Sequence, residues 1–266
     1  VLHLAAQIDV RKSVTDPVFD ARTNVLGSLN LLEAARAAGQ GSGRSPRVVF
    51  ASTGGALYGD FVTPPAVETY AKDPESPYGI AKLSVEYYMA YYARQHGLEC
   101  VALRFANVYG PRQDPHGEAG VVAIFCNRIL DGRPMTTFGT GEQTRDYVFV
   151  KDVARANFLA GTAELPPVGM LDARAFNVGT GIETSVNALA AALIEGAGRD
   201  TPIERAPARP GELQRSALVI DKAAEQLGWR PQVGLVDGLR ETFAFFAERH
   251  ARACGGSPTG GVGASA

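Results

Sequence analysis

Tyr78 and Lys82 stand four residues apart in the stretch SPYGIAK, which opens with Ser76 and Pro77. Residues at that spacing share one face of a helix, one above the other. A free phenol has a pKa of about 10 and is a poor base near neutrality. An ammonium one turn away stabilises the phenolate, and moving the phenol down by about three pH units takes about 4 kcal/mol. A tyrosine tuned in this way can take the proton of a hydroxyl while hydride leaves the same carbon. Upstream, RVVFAST ends in Ser52 and Thr53. A hydroxyl at that strand end could bond the same substrate oxygen and relay its proton. YxxxK alone is a weak pattern, common on helix surfaces. It gains weight here from its place after a strand ending in Ser-Thr and a Gly-rich loop, GGALYGD. Tyr87, Tyr88, Tyr91 and Tyr92 read as packing or interface residues.

The elements that must position these groups alternate between strand-like and helix-like, the mark of a doubly wound parallel α/β sheet. VLHLA reads as a buried strand. Residues 16–39 read as a helix with Asp16 as cap, Pro17 at the first position and Gly39 as the stop. RVVFAS is a second strand, and residues 76–97 form a long helix from Ser76 to Gly97. CVALRFANVYG is a third strand running into a loop. Strands at such a sheet present ligands to their carboxyl ends, where Ser52 and Thr53 lie. Beyond Gly110 the elements shorten: a helix at VVAIFCNRIL, strands at TTF, YVFV and AFNVG, and helices at KDVARANFLAG, TSVNALAAALIEGAG, DKAAEQLGW and LVDGLRETFAFFAERH. Such a mixture suits a substrate-binding cap. The Gly/Ser-rich residues 251–266 are expected to be a disordered tail.

Composition narrows the function classes. The 266 residues carry a net charge of −2 with both signs interspersed, so no basic stripe invites nucleic acid. No apolar run reaches membrane-spanning length. Cys100, Cys126 and Cys254 lack any pairing or CxxC spacing, which suits a reduced, cytoplasmic chain. His3, His96, His116 and His250 are equally scattered, so no metal site is expected.

The ordered set HLAA, FASTGGALYGD, SPYGIAK, LRFANVYGPRQ, TRDYVFVKDVA, FNVGTG and RPGE resembles the extended short-chain dehydrogenase/reductase family. Within it the chain is most similar to the NAD-dependent epimerase/dehydratase group, UDP-glucose 4-epimerases in particular. The likeness runs to about His250. It implies a Rossmann-type sheet and NAD, with NADP left open. Tyr78 would be the catalytic acid/base, with Lys82 on the nicotinamide ribose and lowering the Tyr78 pKa, an effect to which the positively charged nicotinamide ring would add. Thr53 would be the assisting hydroxyl, and Ser52 the second choice. Ala5, Ala6, Gln7 and Asn24 would line the cofactor groove. Asn107, Arg145 and Arg209 would hold the phosphate side of a UDP-sugar, guanidinium forks being suited to phosphate oxygens. A small Ser216 would leave room for an N-acetyl group, so that UDP-GlcNAc and UDP-GalNAc are accepted beside UDP-glucose and UDP-galactose. The family also implies a homodimer, paired through helices around Leu29–Ala38 and Tyr87–Arg94.

Relatives that dehydrate a nucleotide sugar carry an acidic pair after the hydroxyl residue; this chain has STGG there. That favours a nucleotide-sugar 4-epimerase, with a dehydratase as the alternative and a non-catalytic cofactor-sensing protein as a more distant one. The family's opening Gly-rich turn and the acidic residue after its second strand are not in this sequence. Residues 1–110 therefore read as a partial NAD-binding domain without its first βαβαβ, roughly 60–70 residues. Residues 111–250 read mainly as the nucleotide-sugar-binding part, with some segments returning to the sheet. The chain as written is expected to bind NAD poorly, to be inactive by itself, and to expose VLHLA as an apolar edge strand.

Overall fold

The computed structural model describes residues 1–43, 45–60, 62–115, 120–209 and 213–255. Its centre is a four-stranded parallel sheet in the order β1 (Leu2–His3), β2 (Val48–Thr53), β3 (Cys100–Phe105), β8 (Ala175–Val178). Parallel strands covered on both faces need apolar side chains on both, and VVF and CVAL are such unbroken runs. Alternate residues go to opposite faces. Val48, Phe50, Cys100 and Ala102 pack with Leu32, Val85 and Met89 on one face. Val49, Val101, Leu103 and Phe176 pack with Val153, Ala156, Ala223 and Trp229 on the other.

The first face is covered by α3 (Gly27–Ser42) and α4 (Pro77–His96), preceded by α1 (Val10–Thr15) and α2 (Pro17–Ala21). The single helix expected over 16–39 is in fact α2, a π-helical turn over Arg22–Leu26 and then α3. Asp16 does cap it, accepting from the Phe19 N–H at 3.0 Å. Gly39 is not its stop. A Cβ there would lie 1.9 Å from the Ser45 hydroxyl, so glycine is needed for the close approach of the following loop. The helix ends instead at Gly43, whose φ of 71° is left-handed. Helix α4 keeps the expected bounds, with Ser76 as N-cap and Gly97 as left-handed terminator.

The second face takes α6 (Val150–Thr162) and α8 (Asp221–Leu227). A separate apolar cluster joins α5 (Val121–Leu130), α7 (Val186–Ala197) and α9 (Leu235–Gly255) through Phe125, Leu189, Leu193, Leu239 and Phe246. Three short ladders lie outside the main sheet. β4 (Asn107–Tyr109) pairs with β7 (Tyr147–Phe149), and β5 (Met135–Phe138) with β10 (Ile203–Ala206), both parallel. β6 (Thr144–Arg145) pairs antiparallel with β9 (Thr184–Ser185). α1 and β10 are not legible as periodic segments, being short and largely exposed. The first strand covers only Leu2–His3 rather than all of VLHLA, and Leu2 and Leu4 are exposed at this sheet edge. The last helix passes His250 to reach Gly255; residues 256–266 lie outside those described. No helix among the described residues is long and apolar enough to cross a membrane.

Candidate active site

Tyr78 sits in the first turn of α4, at the carboxyl ends of the sheet strands. The Ser76 hydroxyl accepts from the Gly79 N–H at 3.2 Å, and Pro77 occupies the position where a helix needs no donor. The Tyr78 N–H is used by the Ser13 hydroxyl of α1, at 3.2 Å. Gly79 packs against the loop after β2, where a Cβ would come within 2.5 Å of the Ala56 carbonyl oxygen. That loop is held in turn by the Ala56 N–H, which donates to Thr53 Oγ1 at 3.2 Å. The turn of Tyr78 and the hydroxyl of Thr53 are thereby locked to one another through Ala56. Thr53 accepts in this bond and keeps its own O–H for another partner.

Lys82 lies one turn further on and is 3% exposed. Its Nζ donates to the Ala51 carbonyl at 2.7 Å, 4.7 Å from the Phe50 ring centre and 5.7 Å from that of Tyr78. Burial pulls the ammonium down to about 8, against the nearby charges of Asp20 and Glu86, which favour the proton. Burial also pushes the Tyr78 phenol up to about 12, and Asp20 pushes in the same direction. Within the chain itself burial and Asp20 both favour the protonated phenol, whereas the expected acidification draws on a positively charged nicotinamide ring as well as on Lys82.

Ser52, the second choice for the assisting hydroxyl, has a partner within the fold. Neighbours on a strand point to opposite faces, and Ser52 turns away from Thr53, onto α4, where it donates to Glu86 Oε1. Glu86 also accepts from Arg104, whose Nε and Nη2 reach it at 3.1 and 2.6 Å. Arg104 goes on to the Asp172 carboxylate at 2.7 Å and the Glu68 carbonyl at 3.0 Å. Arg104 is fully buried, so this network braces sheet against helix and occupies Ser52 there.

The groove residues assemble around a buried carboxylate. Ala5 and Ala6 follow β1, with Ala5 exposed and Ala6 half-buried. The Gln7 N–H donates to Asn24 Oδ1 at 2.8 Å, and Asn24 Nδ2 returns a bond to the Gln7 carbonyl at 2.9 Å. Gln7 Nε2 and Asn24 Nδ2 both donate to Asp20 Oδ1, at 2.8 and 3.0 Å. Asp20 was not visible as a site residue in sequence, where it reads as one more acid on a helix; only the folding of 7–9 back onto α2 gives it this place.

On the other side of the Thr53 loop, Asn107 opens β4 and aims its Oδ1 at Gly55, 3.7 Å from where a Cβ would be. Ser216 lines a cleft with Gly54, Gly55, Tyr58 and Arg215. Arg145 lies on the β6–β9 ladder and donates to the Thr144 carbonyl at 2.8 Å. Arg209 is stacked on Phe138 at the end of β5, 3.7 Å from the ring centre. The remaining RPGE residues, Pro210, Gly211 and Glu212, lie outside the described residues. Asp146, next to Arg145, was missed. It is buried and accepts from the Thr180 N–H and hydroxyl, the Gly181 N–H and the Leu218 N–H, at 2.6 to 3.3 Å. It ties the FNVGTG loop and the 213–218 strip to the TRDY turn. The signal available was its place between two motif residues.

Residues 1–242 match the family model described as GDP-mannose 4,6 dehydratase. A UDP-glucose 4-epimerase of Mycolicibacterium smegmatis is 47% identical over 94% of this chain and 76% of its own length. A dTDP-glucose 4,6-dehydratase of Streptomyces antibioticus is 32% identical over 94% of this chain and 71% of its own length. Among solved structures, the UDP-glucose 4-epimerase of Thermotoga maritima with UDP-glucose superposes with a TM-score of 0.87 at 48% identity, covering 94% of this chain and 77% of that one. The UDP-glucose 4-epimerase of Thermus thermophilus with NAD gives 0.83 at 45%, covering 92% and 76%.

Proposed function

The chain belongs to the NAD-dependent epimerase/dehydratase family, and from that premise we propose that it interconverts the C4 epimers of a UDP-hexose, UDP-glucose and UDP-galactose, with NAD as its cofactor. The observation that carries the choice of epimerisation over dehydration is the make-up of the Thr53–Ala56 loop. Elimination of water needs an acid to protonate the departing hydroxyl. Both positions after Thr53 are glycine, Gly54 and Gly55, so neither presents a carboxyl group. The described lining of the adjacent cleft holds no carboxylate.

The residues present suit a nicotinamide nucleotide. Lys82 uses one of its three N–H groups on Ala51, and the other two have no partner among the described residues. They can donate to ribose hydroxyls. Ala5 and Ala6 keep the strand end open, while Gln7 and Asn24 are held rigid beside it. NAD, when bound, supplies the acceptor and then the donor of a hydride at C4. Tyr78, ionised to its phenolate, would take the proton from O4, and as the phenol it would return it. The Thr53 hydroxyl donates to the same oxygen and fixes its direction. Arg145 and Arg209 hold the diphosphate and Asn107 steadies the phosphate side. The sugar itself is gripped loosely enough to present its other face before hydride returns. Ser216, a small residue at the cleft, leaves space for an acetamido group.

The test is to incubate the full-length protein with UDP-glucose and follow the anomeric protons by NMR. A steady mixture of glucose and galactose forms supports the reading. A 4-keto-6-deoxy product would replace it with dehydration. Tyr78→Phe should lower kcat by about 10²–10⁴-fold.

Two further features follow the same reading. Val18, Leu26, Ile80, Tyr87 and Tyr91 lie exposed on the π-turn and α2–α4 surface, at 47% to 67% exposure. An apolar, tyrosine-rich helical face of this kind suits a homodimer that packs helices against their symmetry mates. The buried free thiols of Cys100 and Cys126 suit a reducing, cytoplasmic setting.

A further inference from the structure

Helix α4 opens with a donor that its own residues do not satisfy. The N–H groups of a helix's first turn have no carbonyl one turn back, so each needs an acceptor from elsewhere. Pro77 brings no donor, and the Ile80 N–H makes the first intrahelical bond, to the Ser76 carbonyl at 2.9 Å. The N–H groups of Tyr78 and Gly79 remain. The Ser76 hydroxyl takes that of Gly79, as an N-cap does. The Tyr78 N–H goes instead to the hydroxyl of Ser13, 65 residues away in the chain, at 3.2 Å. Ser13 is fully buried where α1 packs on α4, and its own O–H donates to the Val10 carbonyl at 2.6 Å, which leaves the oxygen's lone pairs for Tyr78. The place of α1 is set in turn from the groove. The Ser13 N–H donates to the Asp9 carbonyl at 3.0 Å, and the Asp9 carboxylate caps α1 at the Lys12 N–H, at 3.1 Å. Gln7 clasps Asp9, accepting from its N–H at 2.6 Å and donating to its carbonyl at 2.9 Å. A continuous path of hydrogen bonds thus runs from Gln7 to the backbone of Tyr78.

We infer that Ser13 is a positioning residue for Tyr78, capping α4 from another helix and fixing the Tyr78 turn against the segment that lines the cofactor groove. The inference rests on the reading of Tyr78 as the acid/base. Ser13 acts through the Tyr78 backbone alone. The turn is then held on two sides, by Ser13 toward the groove and by the contact of Gly79 with Ala56 toward Thr53. Proton transfer needs the phenol oxygen within hydrogen-bond reach of its partner, and a displacement of about 1 Å costs up to about a hundredfold in rate.

The test is Ser13→Ala in the full-length protein, with initial rates on UDP-glucose expressed per NAD bound, and with hydrogen exchange of the Tyr78 amide followed by NMR in protein carrying isotope-labelled tyrosine. The variant is expected to lose about 10- to 100-fold in kcat while KM for UDP-glucose and affinity for NAD stay within about twofold, and its Tyr78 amide is expected to exchange faster. A kcat equal to wild type overturns the inference. So does a fall in kcat that KM and NAD affinity share, which marks general loosening. Should Ser13→Ala not fold, wild type decides. The Tyr78 amide has no partner within its own helix, so slow exchange supports the brace and exchange at the rate of an open amide overturns it. A wild type that binds NAD and leaves UDP-glucose unchanged is a separate outcome: it refutes the epimerase reading, and the inference falls with it whatever the exchange rate.

Discussion

Gly79 backs onto Ala56 so closely that a Cβ on the glycine would lie 2.5 Å from the Ala56 carbonyl oxygen and 2.8 Å from Pro74 Cβ. Both are rigid neighbours, so nothing can swing aside. Gly79→Ala is therefore expected to push the first turn of α4 away from the Thr53 loop, costing about 1–3 kcal/mol as overpacking does. Because that turn carries Tyr78, kcat should fall more than Tm alone would imply. Thermal denaturation and turnover on the same sample check this; an active protein with unchanged Tm would show that the contact relaxes freely.

The pH dependence follows from two displaced groups with opposite effects on stability. Lys82 titrates at about 8 in the folded protein against 10.5 ordinarily. The unfolded chain binds more protons between those values, so this group makes stability rise with pH across that window. Tyr78 is held at about 12 against 10.0. The folded chain keeps that proton longer, so its contribution is present below pH 10 and is lost as pH climbs toward 12. Affinity for NAD should decline above about pH 8 as Lys82 loses its charge. Urea unfolding between pH 7 and 10 and NAD binding over the same range would read the two effects separately, and Lys82→Met should flatten both.

Ser52 and Thr53 should separate cleanly when each is changed to alanine. Thr53→Ala removes the hydroxyl that accepts from the Ala56 N–H, and is expected to cut kcat by about 10- to 100-fold while costing about 0.5–1.5 kcal/mol of stability. Ser52→Ala removes a donor to Glu86, a charged acceptor, and should cost about 1–3 kcal/mol while leaving turnover near wild type. Denaturation midpoints and initial rates distinguish the two; the reverse pattern would move the assisting hydroxyl to Ser52.

At the sugar end, Ser216→Tyr should fill the cleft beside Gly54 and Gly55. Rates on UDP-GlcNAc are expected to collapse while those on UDP-glucose fall by less than about tenfold. Comparing kcat/KM for the two substrates in both proteins is the measurement. Equal loss on both would place Ser216 against the common part of the substrate.

Breaking the buried Arg104–Glu86 pair is the expected route to global instability. Glu86→Gln leaves a guanidinium without its full counter-charge in a site with no access to water, at about 3–5 kcal/mol. Chemical denaturation measures it directly. A loss below about 1 kcal/mol would mean that Asp172 and the Glu68 carbonyl suffice for Arg104.

The local signals were sufficient for much of this architecture. Ser76, Pro77 and Gly97 bound α4 because caps and terminators act within a few residues, and the runs VVF and CVAL are strands because both their faces are buried. The spacing of Tyr78 and Lys82 likewise needs only a helix to bring the pair onto one face. Other features depend on residues far apart in the chain. Gly39 reads as a stop until Ser45 is seen lying against it. Ser52 and Thr53 are equivalent on paper; the pleat of β2 and the presence of Glu86 on α4 divide them. Asp20 and Asp146 are ordinary acids in the sequence and become hubs only when Gln7, Asn24, Thr180 and Leu218 converge on them. The surroundings of Tyr78 are the feature least legible in the sequence. Spacing reports the attractive charge one turn away, but desolvation and the Asp20 charge depend on what the whole fold packs around the ring, and those set the direction.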